Sequence, residues 1–404
     1  MLPGTALLAS NLAGSAARIA LDEMRRPFGS GLPTSPEALA RPEVVDALLR
    51  DARPPGAPLP ARVTAVHLPG VDFESSNCRN FLIELESDGK GGEAPPRTLY
   101  AKIPTRSLST RLFAGALGFW DLECTFCERV APHVPIRVPR VHAVVRSGSG
   151  FVLLLENLRE LPGARLFLNR DMAAGTTPEQ ARLCLSTFAE LHAHFHGWTA
   201  AEREALLPHA LHPNLLPRAA AINRALNAAA IAPALRADPA LFPPDVAALC
   251  RRALAREGAM RAAWYREPLT LVHGDSHLAN FFEYGTPEGP RMGMLDFQAV
   301  HWSQGIRDVQ YFLIHSLEPD VLAEHEDALI DHYLAELARF GVVLDRERTR
   351  EAYRGFSFQT LMVGVFALGF GTLTERAETV RTVLRREVAA IRRLRFGEWL
   401  DGLR

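Results

Sequence analysis

The chain has 404 residues, 48% of them apolar, with 45 basic residues against 46 acidic ones. That length supports two or three domains, or one large two-lobed unit with a sizeable core, and a net charge near zero argues against nucleic acid or an anionic membrane as the principal partner. Five cysteines, an odd number in so long a chain, point to a reducing compartment and not to a disulfide framework, and Met1 to Ala20 carry no basic segment ahead of an apolar one, so a cytoplasmic protein is expected.

Residues 1–60 are rich in Pro, Gly and Ala and contain one predicted helix, Ser35 to Ala52, whose Pro36 suits a first turn. This stretch reads as an extension that packs on the lobe after it. From Arg62 the pattern becomes strand-like: Val63 to Leu68, a turn-rich segment through Asn77, then Asn80 to Glu86 with alternating apolar residues. A glycine-rich loop leads to the apolar strand Thr98 to Ile103, which carries Lys102. Phe119 to Val130 is helical and holds Glu123; the Cys124 and Cys127 beside it lack a second pair and read as small buried hydrophobes. Val138 to Val145 and Phe151 to Leu155 are two further strands, the second running into Glu156-Asn157-Leu158, where the lobe boundary falls.

Beyond residue 158 helical period dominates: Pro178 to His196, Asp245 to Tyr265, Ala323 to Phe340 and Val380 to Leu394. The last places Val380, Leu384, Val388, Ile391 and Leu394 on one stripe, with its arginines and glutamates on a solvated face. Gly355 to Thr374 is uncharged over nearly the length of a membrane span. Its Ser357, Gln359 and Thr360 favour a buried helix pair, so no span is expected.

The stretch richest in chemistry is Leu271-Val272-His273-Gly274-Asp275-Ser276-His277-Leu278-Ala279-Asn280, followed by Asp296-Phe297-Gln298. His-x-Asp-x-x-x-x-Asn sets a carboxylate and an amide oxygen on one loop, where the acid can take a hydroxyl proton and the amide can ligate a hard cation. Between them, Phe281-Phe282, the turn residues Gly285 to Pro290 and the apolar run Met292 to Leu295 spell a hairpin that returns Asp296 to Asn280.

These residues resemble the catalytic loop of the aminoglycoside phosphotransferase and choline kinase superfamily, and Asp296-Phe297-Gln298 is similar to its ecdysteroid kinase-like branch. The resemblance implies a bilobal α+β fold of the protein-kinase type. An N-terminal antiparallel sheet lobe would occupy residues 61–158 behind the 1–60 extension, and a mainly helical lobe, 159–404, would carry the catalytic loop and substrate site. It implies Asp275 as the base, His273 as a brace, Asn280 and Asp296 as ligands of Mg²⁺, and Asp308 of Arg307-Asp308 as the anchor of the loop. In the sheet lobe it implies that Ser75, Ser76 and Asn77 donate to phosphates, although the Gly-x-Gly-x-x-Gly of protein kinases is absent. Lys102, paired with Glu123, would neutralise the α- and β-phosphates, and backbone groups from Glu156 to Leu158 would pair with adenine. The implied reaction is ATP- and Mg²⁺-dependent transfer of a γ-phosphoryl group to the hydroxyl of a small molecule. No Ala-Pro-Glu follows Asp296, which argues against a protein substrate.

Two other classes compete. His273, Asp275 and His277 alternate and would share one face of an extended strand, as ligands of a metal hydrolase, with the His192-x-His194-x-His196 triplet as further nitrogen donors. On the helix expected there, however, only His192 and His196 share a face. The other class is a nucleotide-binding protein without catalysis. For the acceptor, the acid-free segment Phe356 to Phe366 suggests a lipophilic alcohol, with Gln359 or Ser357 to orient its hydroxyl.

Overall fold

Three helices open the chain in the computed structural model, which describes residues 4–25, 31–52, 60–70, 72–74, 78–90, 94–208, 217–369 and 377–403. They are α1 (Gly4–Arg25), α2 (Pro36–Leu39) and α3 (Pro42–Asp51). α1 is absent from the sequence reading, yet Leu8, Asn11, Leu12, Ser15 and Ile19 recur at helical spacing and form its sheltered side. The helix expected from Ser35 to Ala52 is two helices. Pro42 disfavours helical geometry in the residue before it, and Arg41 sits at φ −86°, ψ 116°. Ser35 caps α2, its hydroxyl accepting from the Ala38 N–H at 3.3 Å.

The sheet that follows comprises β1 (Val63–His67), β2 (Asp72–Glu74), β3 (Cys78–Ser87) and β4 (Thr98–Pro104), then, after α4 (Leu108–Leu117) and α5 (Phe119–Thr125), β5 (Val141–Ser147) and β6 (Gly150–Glu156). Its order is β1-β3-β4-β6-β5, with β2 also paired to β3, and each pairing is antiparallel. Leu39, Val45 and Leu48 from α2 and α3 join Val63, Phe81, Ile83, Leu99, Ala101, Val152 and Leu154 in one apolar core. The helical course after α5 continues as a π turn, Phe126–Val130. All five cysteines are free thiols and buried, and burial pushes the Cys124 thiol well above its ordinary range. Contacts gather Ala6–His133 with Val138–Leu161 into this unit, and Met1–Thr5, Val134–Arg137 and Pro162–Arg404 into a second.

The second unit is mainly helical: β7 (Arg165–Leu166), α6 (Asn169–Ala174), α7 (Pro178–Phe195), α8 (Ala200–Leu206), α9 (Pro217–Ala237), α10 (Pro244–Ala255), α11 (Glu257–Trp264) and β8 (Thr270–Val272) lead to a hairpin. The hairpin pairs β9 (Phe281–Thr286) with β10 (Gly289–Met294), and β11 (His301–Ser303) returns to β8. After it come α12 (Ile306–Ser316), α13 (Pro319–Arg339), α14 (Arg346–Gly369), α15 (Ala377–Arg393) and α16 (Phe396–Gly402). Every residue of α12 is buried, because α6, α7, α13, α14 and α15 all pack around it.

Four expectations change here. Asp245 to Tyr265 is two helices, broken at Arg256, whose guanidinium binds the Leu400 and Leu403 carbonyls. Residues 355–369 belong to one continuous helix, α14, and 370–374 lie outside the described residues. The α15 face is not wholly solvated: Arg386 and Glu387 are each 1% exposed, because Arg386 donates to the Met172, Ala173 and His315 carbonyls and Glu387 meets His315. In the segment Phe356 to Phe366, Phe356 stacks on Trp264 and Phe358 on Phe396, so these rings are core and offer no pocket. Gln359, Val363 and Phe366, spaced along one side of α14, are the part left incompletely covered. Among the described residues no helix is long and apolar enough to cross a membrane.

Candidate active site

β8 is wholly buried and held to β11 in antiparallel register, so the residues leaving it start from a fixed point. His273 and Gly274 follow at once, and their N–H groups both donate to the Asp308 carboxylate, at 2.6 and 3.1 Å. Gly274 has φ +86°, and a Cβ there would collide with the Ala299 carbonyl, so the turn requires glycine. Ser276 donates its hydroxyl to the Asp308 carbonyl at 3.1 Å, and Leu278 N–H reaches the Ser316 hydroxyl at 3.2 Å. The loop is therefore suspended from one face of α12.

Asp308 is fully buried and also meets Arg307 at 3.1 Å and His192 at 3.4 Å. Burial alone would raise its pKa; the His192 hydrogen bond and the Arg307 charge outweigh that and hold the carboxyl well below its ordinary range. His192 is oriented by the Tyr333 hydroxyl at 2.9 Å. Tyr333 does not enter the sequence reading of this site and His192 enters it only as a metal-ligand candidate, since both lie far away in the chain and are joined to Asp308 by packing.

His273 is 0% exposed, and both ring nitrogens are engaged. Nε2 donates to the Leu295 carbonyl at 2.9 Å, which leaves Nδ1 to accept from the Asp275 N–H at 3.2 Å. Burial keeps the ring neutral by lowering its pKa. The imidazole so ties the Asp275 turn to the strand end before Asp296. The same geometry overturns the hydrolase reading: with Nδ1 and Nε2 both taken by backbone groups, His273 has no lone pair for a metal. His194 is exposed and packs on Phe195 and Trp198. Among the described residues no cluster of three His, Cys, Asp or Glu could hold an ion.

The β9–β10 register pairs Phe281 with Met294, and the Leu295 N–H donates to the Asn280 carbonyl at 3.0 Å. Asp296 is thereby brought back to Asn280, in a left-handed conformation (φ 64°) that a non-glycine residue adopts only when its surroundings enforce it. Asn280 commits its amide nitrogen to the Asp275 carbonyl at 2.6 Å, with a longer 3.4 Å approach to Oδ2. Its Oδ1 and the Asp296 carboxylate are hard oxygen donors, the kind that could hold Mg²⁺.

Asp275 keeps 26% of its side chain exposed. Oδ1 accepts from the Tyr311 hydroxyl at 2.7 Å and lies 3.6 Å from His277 Nε2. Burial pulls its pKa up, but the His277 charge and the Tyr311 hydrogen bond prevail, so the carboxyl ionises below its ordinary range. Tyr311 is absent from the sequence reading. Its signal is the helical spacing of Asp308, Tyr311 and His315 on one face of α12.

In the sheet unit, Lys102 lies on β4 between Asn80 of β3 and Leu153 of β6. Its Nζ donates to Glu123 Oε1 on α5 at 2.5 Å, with both side chains nearly buried. Glu156 ends β6 with its N–H on the Arg140 carbonyl at 2.8 Å and its carboxylate on the Arg140 N–H at 2.9 Å. Asn157 caps the turn that follows and buries Leu158. Ser75, Ser76 and Asn77 lie outside the described residues.

The sequence model of the ecdysteroid kinase-like family matches residues 135–344, more than half of the chain. The chain belongs to the ecdysteroid kinase-like family. This family member is a small-molecule kinase, a phosphotransferase with an alcohol group as acceptor. Among solved structures it is similar to an ethanolamine kinase of Plasmodium vivax, with 12% identity over 80% of this chain and 81% of that one, TM-score 0.46. It is similar also to a choline kinase of Cryptosporidium parvum, with 10% identity over 89% and 94%, TM-score 0.45. An aminoglycoside-3'-phosphotransferase of type VIII shares 20% identity over 77% and 97%, TM-score 0.38. No curated protein matches the chain.

Proposed function

We propose that this kinase transfers the γ-phosphoryl group of ATP, with Mg²⁺, to the hydroxyl of a small acceptor in the cytoplasm. The observation that carries the reading is the convergence of Asp275, Asn280 and Asp296, joined by the Asn280–Asp275 hydrogen bond and the hairpin register. Asp275 takes the acceptor's hydroxyl proton, and Asn280 and Asp296 hold the ion. Bound Mg²⁺ supplies charge neutralisation at the transferring phosphoryl group. Lys102, kept at fixed reach by Glu123, holds the α- and β-phosphates, and backbone groups of Glu156 to Leu158 pair with adenine. In this reading residues 61–158 serve the nucleotide, 159–404 serve catalysis and the acceptor, and Ser75, Ser76 and Asn77 cover the phosphates.

The acceptor is assigned as a lipophilic alcohol, now on a narrower footing: the half-covered side of α14, Gln359, Val363 and Phe366, and not its buried rings. Gln359 lies beside Tyr265, which is near Arg307, and the Arg307 guanidinium covers the Tyr311 ring at 5.1 Å. That path leads to the Tyr311 hydroxyl on Asp275. An ATP-consumption screen with hydrophobic alcohols beside choline-like and kanamycin-like compounds tests the assignment. Turnover confined to the cationic compounds would exclude the lipophilic acceptor and keep the kinase; turnover with none of the compounds would count against the phosphotransfer reading.

Two variants separate ion from nucleotide. Asp296→Ala is expected to weaken Mg·ATP binding more than binding of metal-free ATP, since the lost contact is to the ion; calorimetry giving equal losses would reduce Asp296 to a folding role. Lys102→Ala is expected to weaken ATP itself. Because it strands the buried Glu123 carboxylate, the titration is run also on Lys102→Met/Glu123→Gln, and wild-type affinity in both would remove Lys102 from the nucleotide site.

A further inference from the structure

Among the described residues the Asp275 carboxylate is held mainly from one side. Tyr311 donates its hydroxyl to Oδ1 at 2.7 Å, and His277 Nε2 stands 3.6 Å from the same oxygen. Among the described residues Oδ2 has only the long 3.4 Å approach of Asn280, whose amide is committed at 2.6 Å to the Asp275 carbonyl. The two oxygens are therefore unequal.

Tyr311 is itself fixed. It is 2% exposed, with the His315 ring edge-on at 4.1 Å, the His277 ring stacked at 6.5 Å and the Arg307 guanidinium over it at 5.1 Å. His315 in turn meets Glu387 Oε1 through Nε2 at 2.7 Å, and both residues are 1% exposed. Glu387 is on α15, beyond the end of the family match at residue 344. A buried chain of contacts thus runs from α15 through the end of α12 to the base: Glu387, His315, Tyr311, Asp275. Ser316, next to His315, receives the Leu278 N–H at 3.2 Å, so this end of α12 also holds the far side of the loop.

We propose that Tyr311, seated by the His315–Glu387 pair, is a positioning residue for phosphoryl transfer: its hydroxyl occupies Oδ1 of Asp275 and fixes the carboxylate so that Oδ2 receives the acceptor's proton. This rests on the phosphotransfer reading above. In the step, the proton of the acceptor hydroxyl passes to Oδ2 while the acceptor oxygen bonds to the γ-phosphorus. The bond from that phosphorus to the bridging oxygen breaks, and the nucleoside diphosphate leaves with its electron pair. A carboxylate free to rotate would spend part of its time with neither oxygen aimed at the acceptor, and near-attack geometry is where a positioning contact acts.

Tyr311→Phe removes one oxygen and keeps the ring that fills the space. Turnover is expected to fall about ten- to a hundredfold, the effect of a lost hydrogen bond to a charged group, with the KM for ATP unchanged. In an Asp275→Asn background the same substitution is expected to cost no further turnover, because there is no longer a base to aim. Wild-type kcat in Tyr311→Phe, or an equal fold-loss in both backgrounds, would overturn the proposal while leaving the kinase reading intact. If the wild-type chain phosphorylates no acceptor, the kinase reading fails separately. A thermal-unfolding cycle of Tyr311→Phe with Asp275→Ala, which leaves the hydroxyl no acceptor, then decides: non-additive shifts support the clamp and additive shifts overturn it.

Discussion

Asp275→Asn is expected to lower turnover by about 10²–10⁴, roughly 3–5 kcal/mol of barrier, with ATP affinity little changed. The variant keeps an oxygen for the Tyr311 hydroxyl and leaves the Asn280 contact to the Asp275 carbonyl in place, so the loop is expected to persist while the proton acceptor is lost. The Asp275 pKa lies below the ordinary carboxylate range, so the base is ionised at neutral pH and turnover that depends on it falls only as pH drops through that lowered value. Steady-state kinetics beside a calorimetric titration of ATP measures both quantities. Unaltered turnover would remove Asp275 from the mechanism.

The largest loss of stability is expected at Asp308. Its carboxylate accepts the N–H groups of His273 and Gly274, meets Arg307 and His192, and is 0% exposed. Asp308→Ala leaves two buried donors and a buried guanidinium without their acceptor, which costs about 3–5 kcal/mol, and the loop bearing Asp275 loses its suspension. Turnover and stability are therefore expected to fall together, unlike the Asp275 variant. Because the folded-state pKa of Asp308 is depressed, its contribution is fully present above the unfolded value of about 3.9 and is lost as pH falls below it. Denaturant unfolding of wild type and Asp308→Asn is expected to show a wide gap near pH ~7 that narrows toward pH ~3. A gap within about 1 kcal/mol at neutral pH would mean that other contacts hold the loop.

The strands of the sheet were legible because half-buried strands alternate apolar and polar residues, and β3, β4 and β6 do so or run apolar throughout. Helix ends were less legible. Pro42 announces a break by local chemistry alone, whereas the break at Arg256 coincides with carbonyls of residues 400 and 403 that its side chain reaches. The face of α15 was misjudged for the same reason: Arg386 and Glu387 look like a solvated pair until α6 and α12 supply carbonyls and an imidazole from 71 to 214 residues away.

The sequence by itself determined the local part of the site. Asp275 and Asn280 stand five residues apart on one loop, and a short hairpin with a two-residue turn returns Asp296 to them, so chain connectivity alone enforces their meeting. It also carried the resemblance to the family, through that spacing together with Asp296-Phe297-Gln298. Only the tertiary structure decided how the Asp275 carboxylate is held. Tyr311 reaches Asp275 across 36 residues, Glu387 reaches His315 across 72, and His192 reaches Asp308 across 116. Such contacts leave no period in the sequence. They arise when α12 is enclosed on all sides, where each buried polar group must find a partner among whichever helices pack against it.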